Sequence, residues 1–76
     1  MSKLPILTAQ EIIRILKKID FEIIRQKGSH IFLAHEDGRT TVVPVHPEED
    51  IGRGLLRKII KEDVKISIQD FQELLK

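Results

Sequence analysis

Seventy-six residues with no cysteine exclude a disulfide-stapled fold, a thiolate metal site and cysteine-based nucleophilic catalysis. A chain of this length buries only about 60% of the surface its unfolded form exposes, so a single domain over residues 1–76 with a small core is expected. The net charge of +1 and pI near 8.1 fall short of the pI above about 9 of domains that bind nucleic acid mainly by charge, and any anion site has to be local. No apolar run approaches the roughly 20 residues that span a bilayer, and the N-terminus has no signal-like pattern. The expectation is a soluble, unprocessed, cytoplasmic protein without a membrane partner.

Thr8 followed by Glu11 is a capping-box pattern, and it predicts a helix from about residue 9. Ile12, Ile13, Leu16 and Ile19 then recur at three- and four-residue spacing, with Glu11, Arg14, Lys17 and Lys18 mostly on the other side. Lys17 and Lys18 complement the dipole of its last turn. Phe21 to Gln26 and Ile31 to Ala34 read as two strands of a first hairpin, joined by a basic, glycine-containing turn. Asp37-Gly38 predicts a two-residue type I′ turn into a third strand through Thr40 to Val45, in which Pro44 belongs at an edge or a frayed end.

The stretch His46-Pro47-Glu48-Glu49-Asp50 is polar and turn-like, and Gly52 and Gly54 mark the approach to a second helix. Leu55, Leu56, Ile59 and Ile60 form the buried face expected of it, with Arg57, Lys58, Lys61 and Glu62 facing water. Ser67 is placed to cap a short last helix whose apolar positions are Ile68, Phe71, Leu74 and Leu75. The class is therefore α+β, with an α-β-β-β-α order: a three-stranded antiparallel sheet carries two helices on one face, and a short C-terminal helix follows. The opposite sheet face is left open to water or to a partner.

Chemistry is expected at Arg25-Gln26-Lys27-Gly28-Ser29-His30. Gly28 permits positive φ and close approach of an anionic group. Arg25 and Lys27 supply charge suited to a phosphodiester, Ser29 can satisfy turn groups or offer its hydroxyl to a phosphate, and histidine is the residue type whose unperturbed pKa of about 6.5 allows proton transfer near neutrality. RNA is cut without metal when a base removes the 2′-hydroxyl proton and cations stabilise the phosphorane, a task that fits His30. The other reading of His30 is a strand-end residue bonded to the turn. His35 and His46 read as strand-end or turn residues, with either able to serve as a second proton donor.

A metal site is not expected, because the odd spacing of His30 and His35 sends them to opposite faces of one strand, and no cofactor is implied. A Ser29 nucleophile fails for the same reason, since Ser29 and its neighbour His30 point apart in extended backbone. Arg57, Lys58 and Lys61 form a phosphate track if their helix lies beside the turn, and a solvated face if it does not. With three phenylalanines and no Tyr or Trp, base stacking on aromatic side chains has little support.

Four segments taken together, Phe21-Glu22-Ile23-Ile24-Arg25-Gln26-Lys27-Gly28-Ser29-His30, His35-Glu36-Asp37-Gly38-Arg39, Val42-Val43-Pro44-Val45-His46 and Gly54-Leu55-Leu56-Arg57-Lys58-Ile59-Ile60, closely resemble the HicA toxin family, also called the YcfA-like mRNA interferases. The resemblance runs from Leu4-Pro5 to the Phe71 helix. It implies a double-stranded-RNA-binding-domain-like fold and the toxin role in a type II toxin-antitoxin pair. It further implies a metal-independent endoribonuclease acting on mRNA, with the family's catalytic histidine falling on His30. A HicB-like antitoxin is the implied protein partner, masking that histidine, with DNA reached only through the antitoxin. Gly54-Leu55 stands where the family has Gly-Thr, and Asp63-Val64-Lys65-Ile66-Ser67 is a residue longer than the usual Ala-Gly-Ile-Ser. A noncatalytic RNA-binding module, or an inactive homologue that only binds its antitoxin, is the alternative.

Overall fold

In chain order the elements are β1 (Leu7–Thr8), α1 (Ala9–Lys18), β2 (Glu22–Lys27), β3 (His30–Ala34), β4 (Thr40–Pro44), β5 (Asp50–Ile51), α2 (Arg53–Lys58), a π-helical segment (Ile59–Val64) continuing α2, and α3 (Ile68–Leu74). The computed structural model describes residues 4–46 and 49–75. This is the α+β architecture expected, with β2, β3 and β4 as an antiparallel sheet in that order. A two-residue ladder of β1 with β5, pairing Leu7 with Ile51 and Thr8 with Asp50, is an addition that no periodicity signals. Of the turn-like stretch before α2, Pro47 and Glu48 lie outside the described residues. Among the described residues no helix is long and apolar enough to cross a membrane.

Helix α1 starts where its cap chemistry directs. Thr8 N donates to Glu11 Oε1 at 2.9 Å and Glu11 N donates to Thr8 Oγ1 at 3.2 Å, so two first-turn donors are satisfied reciprocally. The Thr8 backbone bond, then the Thr8 hydroxyl, hold the Glu11 carboxyl below the ordinary glutamate range. The unfolded chain therefore takes up this proton at higher pH than the folded one. The contribution is fully present above the ordinary glutamate range and is lost as pH falls through the lowered folded value. Thr8→Ala is expected to cost about 1 kcal/mol in urea unfolding at neutral pH. Glu11→Gln should flatten the acid side of the stability curve, and an unchanged acid limb would reject this account of the cap.

The buried side chains of β2, β3 and β4, which are Leu33, Thr41 and Val43, lie on one face of the three-stranded sheet, at 3% exposure or less. They pack with Ile12 and Leu16 of α1, with Leu56, Ile59 and Ile60, and with Phe71 of α3, which Ser67 starts by accepting from Asp70 N at 2.9 Å. Registers of His30 with Pro44, Phe32 with Val42 and Ala34 with Thr40 put these six residues together on the other face.

Three details depart from expectation. The β3–β4 connection is a three-residue loop, Glu36 to Gly38, closed by His35 N to Arg39 O at 2.9 Å, rather than a two-residue type I′ turn. Gly38 alone takes positive φ, +103°, because the Asp37 carboxylate accepts from Arg39 N at 3.0 Å and holds Asp37 itself in ordinary backbone. Leu55, expected in the buried face of α2, is 37% exposed, since Leu56, Ile59 and Ile60 already fill the contact with the core. Gly52 is the N-cap of α2 and Gly54 lies inside the helix.

The π-helical segment ends at Lys65, whose φ of +62° is left-handed. Arg39 Nη1 donates to the segment's last carbonyl, that of Val64, at 2.6 Å, while its guanidinium sits 5.2 Å from the Phe21 ring and its Nε bonds Asp37. A left-handed non-glycine costs about 1–2 kcal/mol, and glycine gives back roughly 0.4–1 through the unfolded chain. Lys65→Gly is thus expected to raise stability by roughly 0.5–1 kcal/mol in urea unfolding. A loss of stability would show that the lysine side chain outweighs the backbone term.

Candidate functional site

The hairpin joining β2 to β3 is built on one backbone requirement. Gly28 has φ of +59° and Ser29 does not share it, the pattern of a type II′ turn whose twist matches the flanking strands. A Cβ at Gly28 would meet nothing within 4 Å, so the demand for glycine here is conformational and the space outside the turn is open. The Ser29 carbonyl accepts from Val45 N at 2.6 Å and thereby ties the turn to the end of β4. That bond makes His30 and Pro44 a non-hydrogen-bonded pair. Proline's missing donor is then without cost, and the two side chains lie at the closer of the antiparallel spacings.

A β-bulge in β2 decides which face the cations occupy. Ile23 pairs with Leu33, but Arg25 pairs with Phe32, leaving Ile24 as an extra residue. Strict alternation from the buried Phe21 would have carried Ile23, Arg25 and Lys27 all to the helix-covered face. The extra residue reverses the phase, and Arg25 and Lys27 emerge on the open face with Phe32 and His30. Arg25 Cζ lies 4.6 Å from the Phe32 ring centroid, while Lys27 is the direct cross-strand partner of His30. Arg25, Lys27 and His30 are all exposed, and among the described residues neither cation is held by a carboxylate. The structure therefore brings together the residues singled out in the turn, with Ser29 contributing a backbone tie and Gly28 an unobstructed corner.

The other histidines part company with His30. His35, just past β3, meets the Phe21 ring edge-on at 5.3 Å on the helix side, and its Nδ1 accepts from Asp37 N at 3.1 Å. It cannot face the same phosphate as His30. The neighbouring Asp37 carboxyl is held below the ordinary aspartate range, first by the Arg39 backbone bond. His46 is exposed beyond β4, and its carbonyl accepts from Glu49 N at 3.1 Å. Among the described residues no three His, Asp or Glu side chains converge as a metal site would require.

Beside the open face runs a groove of about 470 Å³ between β4 and the α2–π segment, lined by His30, Val42, Pro44, Leu55, Lys58 and Asp63 among others. Of the three cations considered for a phosphate track, only Lys58 lines it; Arg57 and Lys61 are exposed elsewhere. By sequence Leu55 reads as a core position, Asp63 as part of the stretch before the last helix and Thr41 as an ordinary strand residue, none of them as part of a site. An acid five residues from a lysine carries no signal in a helix of ordinary pitch, where the neighbour is four residues on.

Residues 9–63, which include the whole sheet, the hairpin with His30 and the groove-lining helix, match the family model described as the HicA toxin of bacterial toxin-antitoxin systems. No curated protein matches the chain. Covering well over half of the sequence, the family match and the α-β-β-β-α fold that presents its histidine turn agree: the chain belongs to the HicA toxin family.

Proposed function

We propose that the protein is a metal-independent endoribonuclease that cleaves mRNA as the toxin of a toxin-antitoxin pair, with His30 transferring the proton. The observation that carries this reading is an exposed histidine whose cross-strand neighbour is Lys27 and whose face also bears Arg25. In the reaction the 2′-hydroxyl loses its proton to a base, its oxygen bonds to phosphorus, and the bond to the 5′ oxygen breaks as that oxygen gains a proton. The products are a 2′,3′-cyclic phosphate and a 5′-hydroxyl. His30 serves one of the two proton transfers and water the other. Arg25 and Lys27 offset the charge on the phosphorane, where fixed cations contribute more than in the ground state. The open corner at Gly28 lets the backbone of the RNA come close, with the Ser29 hydroxyl available to a phosphate oxygen.

The protein partner in this reading is a HicB-like antitoxin that covers the His30 face and supplies any DNA contact. An open sheet face with unneutralised cations favours an acidic covering surface. Incubation of the purified chain with single-stranded RNA in a metal chelator tests the proposal. Cleavage leaving cyclic phosphate ends is expected, and none at a linkage carrying a 2′-deoxyribose. RNA recovered intact, or cleavage that persists at the deoxy linkage, would reject it.

A further inference from the structure

The π-helical segment determines which charges enter the groove beside His30. In an α-helix the side chain facing Lys58 would be that of Glu62, four residues on. The wider turn that begins at Ile59 instead sets Asp63, five residues on, next to it. Asp63 is already committed: its Oδ2 accepts a 2.8 Å bond from the buried Thr41 hydroxyl, and its Oδ1 lies 3.9 Å from Lys58 Nζ. So long an ion pair engages the ammonium only loosely, and the Lys58 side chain remains 55% exposed at the rim. Facing it are Val42, Pro44 and the exposed Leu55, an apolar wall that the core does not require.

An apolar wall, a tethered cation and a histidine in one groove of about 470 Å³ complement a nucleotide, which has an apolar base face and an anionic phosphate. A duplex keeps its base faces stacked inside and could not use the wall. We propose that the groove between β4 and α2 is a subsite for the nucleotide adjoining the scissile phosphate of single-stranded RNA, with its phosphate on Lys58 and its base against Leu55 and Pro44. The choice of ligand rests on the reading of the protein as an RNA-cleaving toxin. Lys58 is a binding residue in this account, holding substrate and transition state alike, so its loss raises KM and leaves kcat nearly unchanged.

The test is binding of a short single-stranded oligoribonucleotide by His30→Ala protein, followed by fluorescence anisotropy over a range of salt. Adding Lys58→Met is expected to weaken binding about tenfold and to reduce the slope of log affinity against log salt by about 0.7, the loss of one phosphate contact. Lys58→Arg should restore most of both, and Leu55→Ser should weaken binding without changing the slope. Unchanged affinity and slope in Lys58→Met would overturn the subsite, as would failure of the parent protein to bind RNA or an equal loss for a base-paired RNA. Cleavage by the wild-type chain is scored separately. A chain that cuts RNA indifferently to Lys58→Met refutes the groove alone. A wild-type chain that cuts nothing refutes the catalytic reading, and the binding measurement still decides the groove.

Discussion

Replacing His30 by alanine is expected to lower the rate of RNA cleavage by at least about a hundredfold while the protein remains folded. Positioned general acid-base groups contribute about 10²–10⁴-fold, so a variant that retains the cations but loses the imidazole should fall in that range. The fold has little reason to respond. His30 is exposed, its ring makes no hydrogen bond among the described residues, and its place in β3 is set by backbone pairing to Lys27 and Pro44. The informative control is His35→Ala, which removes a ring packed on Phe21 on the other side of the sheet. That variant should lose stability while the folded fraction cleaves at the wild-type rate. A His30→Ala protein that cleaves like wild type, with an unchanged urea midpoint, would remove the imidazole from the mechanism. Loss of activity in both variants at equal folded fraction would mean that the assay reads sheet integrity rather than proton transfer.

What could be read from the chain was whatever a single residue type or a regular period specifies. Thr8 with Glu11, Ser67 before Ile68, Gly28 between two strands and Pro44 at an edge each have one local solution, and the structure adopts it. The features that shape the site are of another kind, because each is an interruption of a period. The bulge at Ile24 is invisible in a run of four residues that all suit a strand, yet it sends Arg25 to the face opposite Ile23. The π-helical segment likewise hides inside a helix whose apolar spacing looks ordinary. The segment ends on Lys65, in a conformation glycine would take more readily. Leu55 is a separate case, since the residues that pack inward are chosen by where the helix meets the sheet and not by hydrophobicity alone.

Phe21→Ala should be the most damaging single change to the fold, with an expected loss of about 3–5 kcal/mol. Native stability of roughly 0.05–0.15 kcal/mol per residue leaves a domain of this size only about 4–11 kcal/mol in total. Phe21 is 1% exposed just before β2 and is contacted from both sides of the β3–β4 loop, by the His35 ring at 5.3 Å and by the Arg39 guanidinium at 5.2 Å. Truncation therefore opens a cavity and also releases Arg39, which otherwise closes the π-helical segment at Val64. The damage should reach Lys58 and Asp63 through that segment before it reaches the Gly28 turn, which is tied separately to Val45. In thermal unfolding the midpoint should fall by at least about 12 °C, taking roughly 4 °C per kcal/mol as the lower bound for a domain of this size. Phe21→Leu, which keeps most of the volume but loses the ring contacts, should recover more than half of the loss. If Phe21→Ala unfolds within about 1 kcal/mol of wild type, the aromatic contacts between the loop and β2 carry no weight. The coupling of the π-helical segment to the sheet must then come from the packing of Ile59 and Ile60 on the buried sheet face and from the Thr41–Asp63 hydrogen bond.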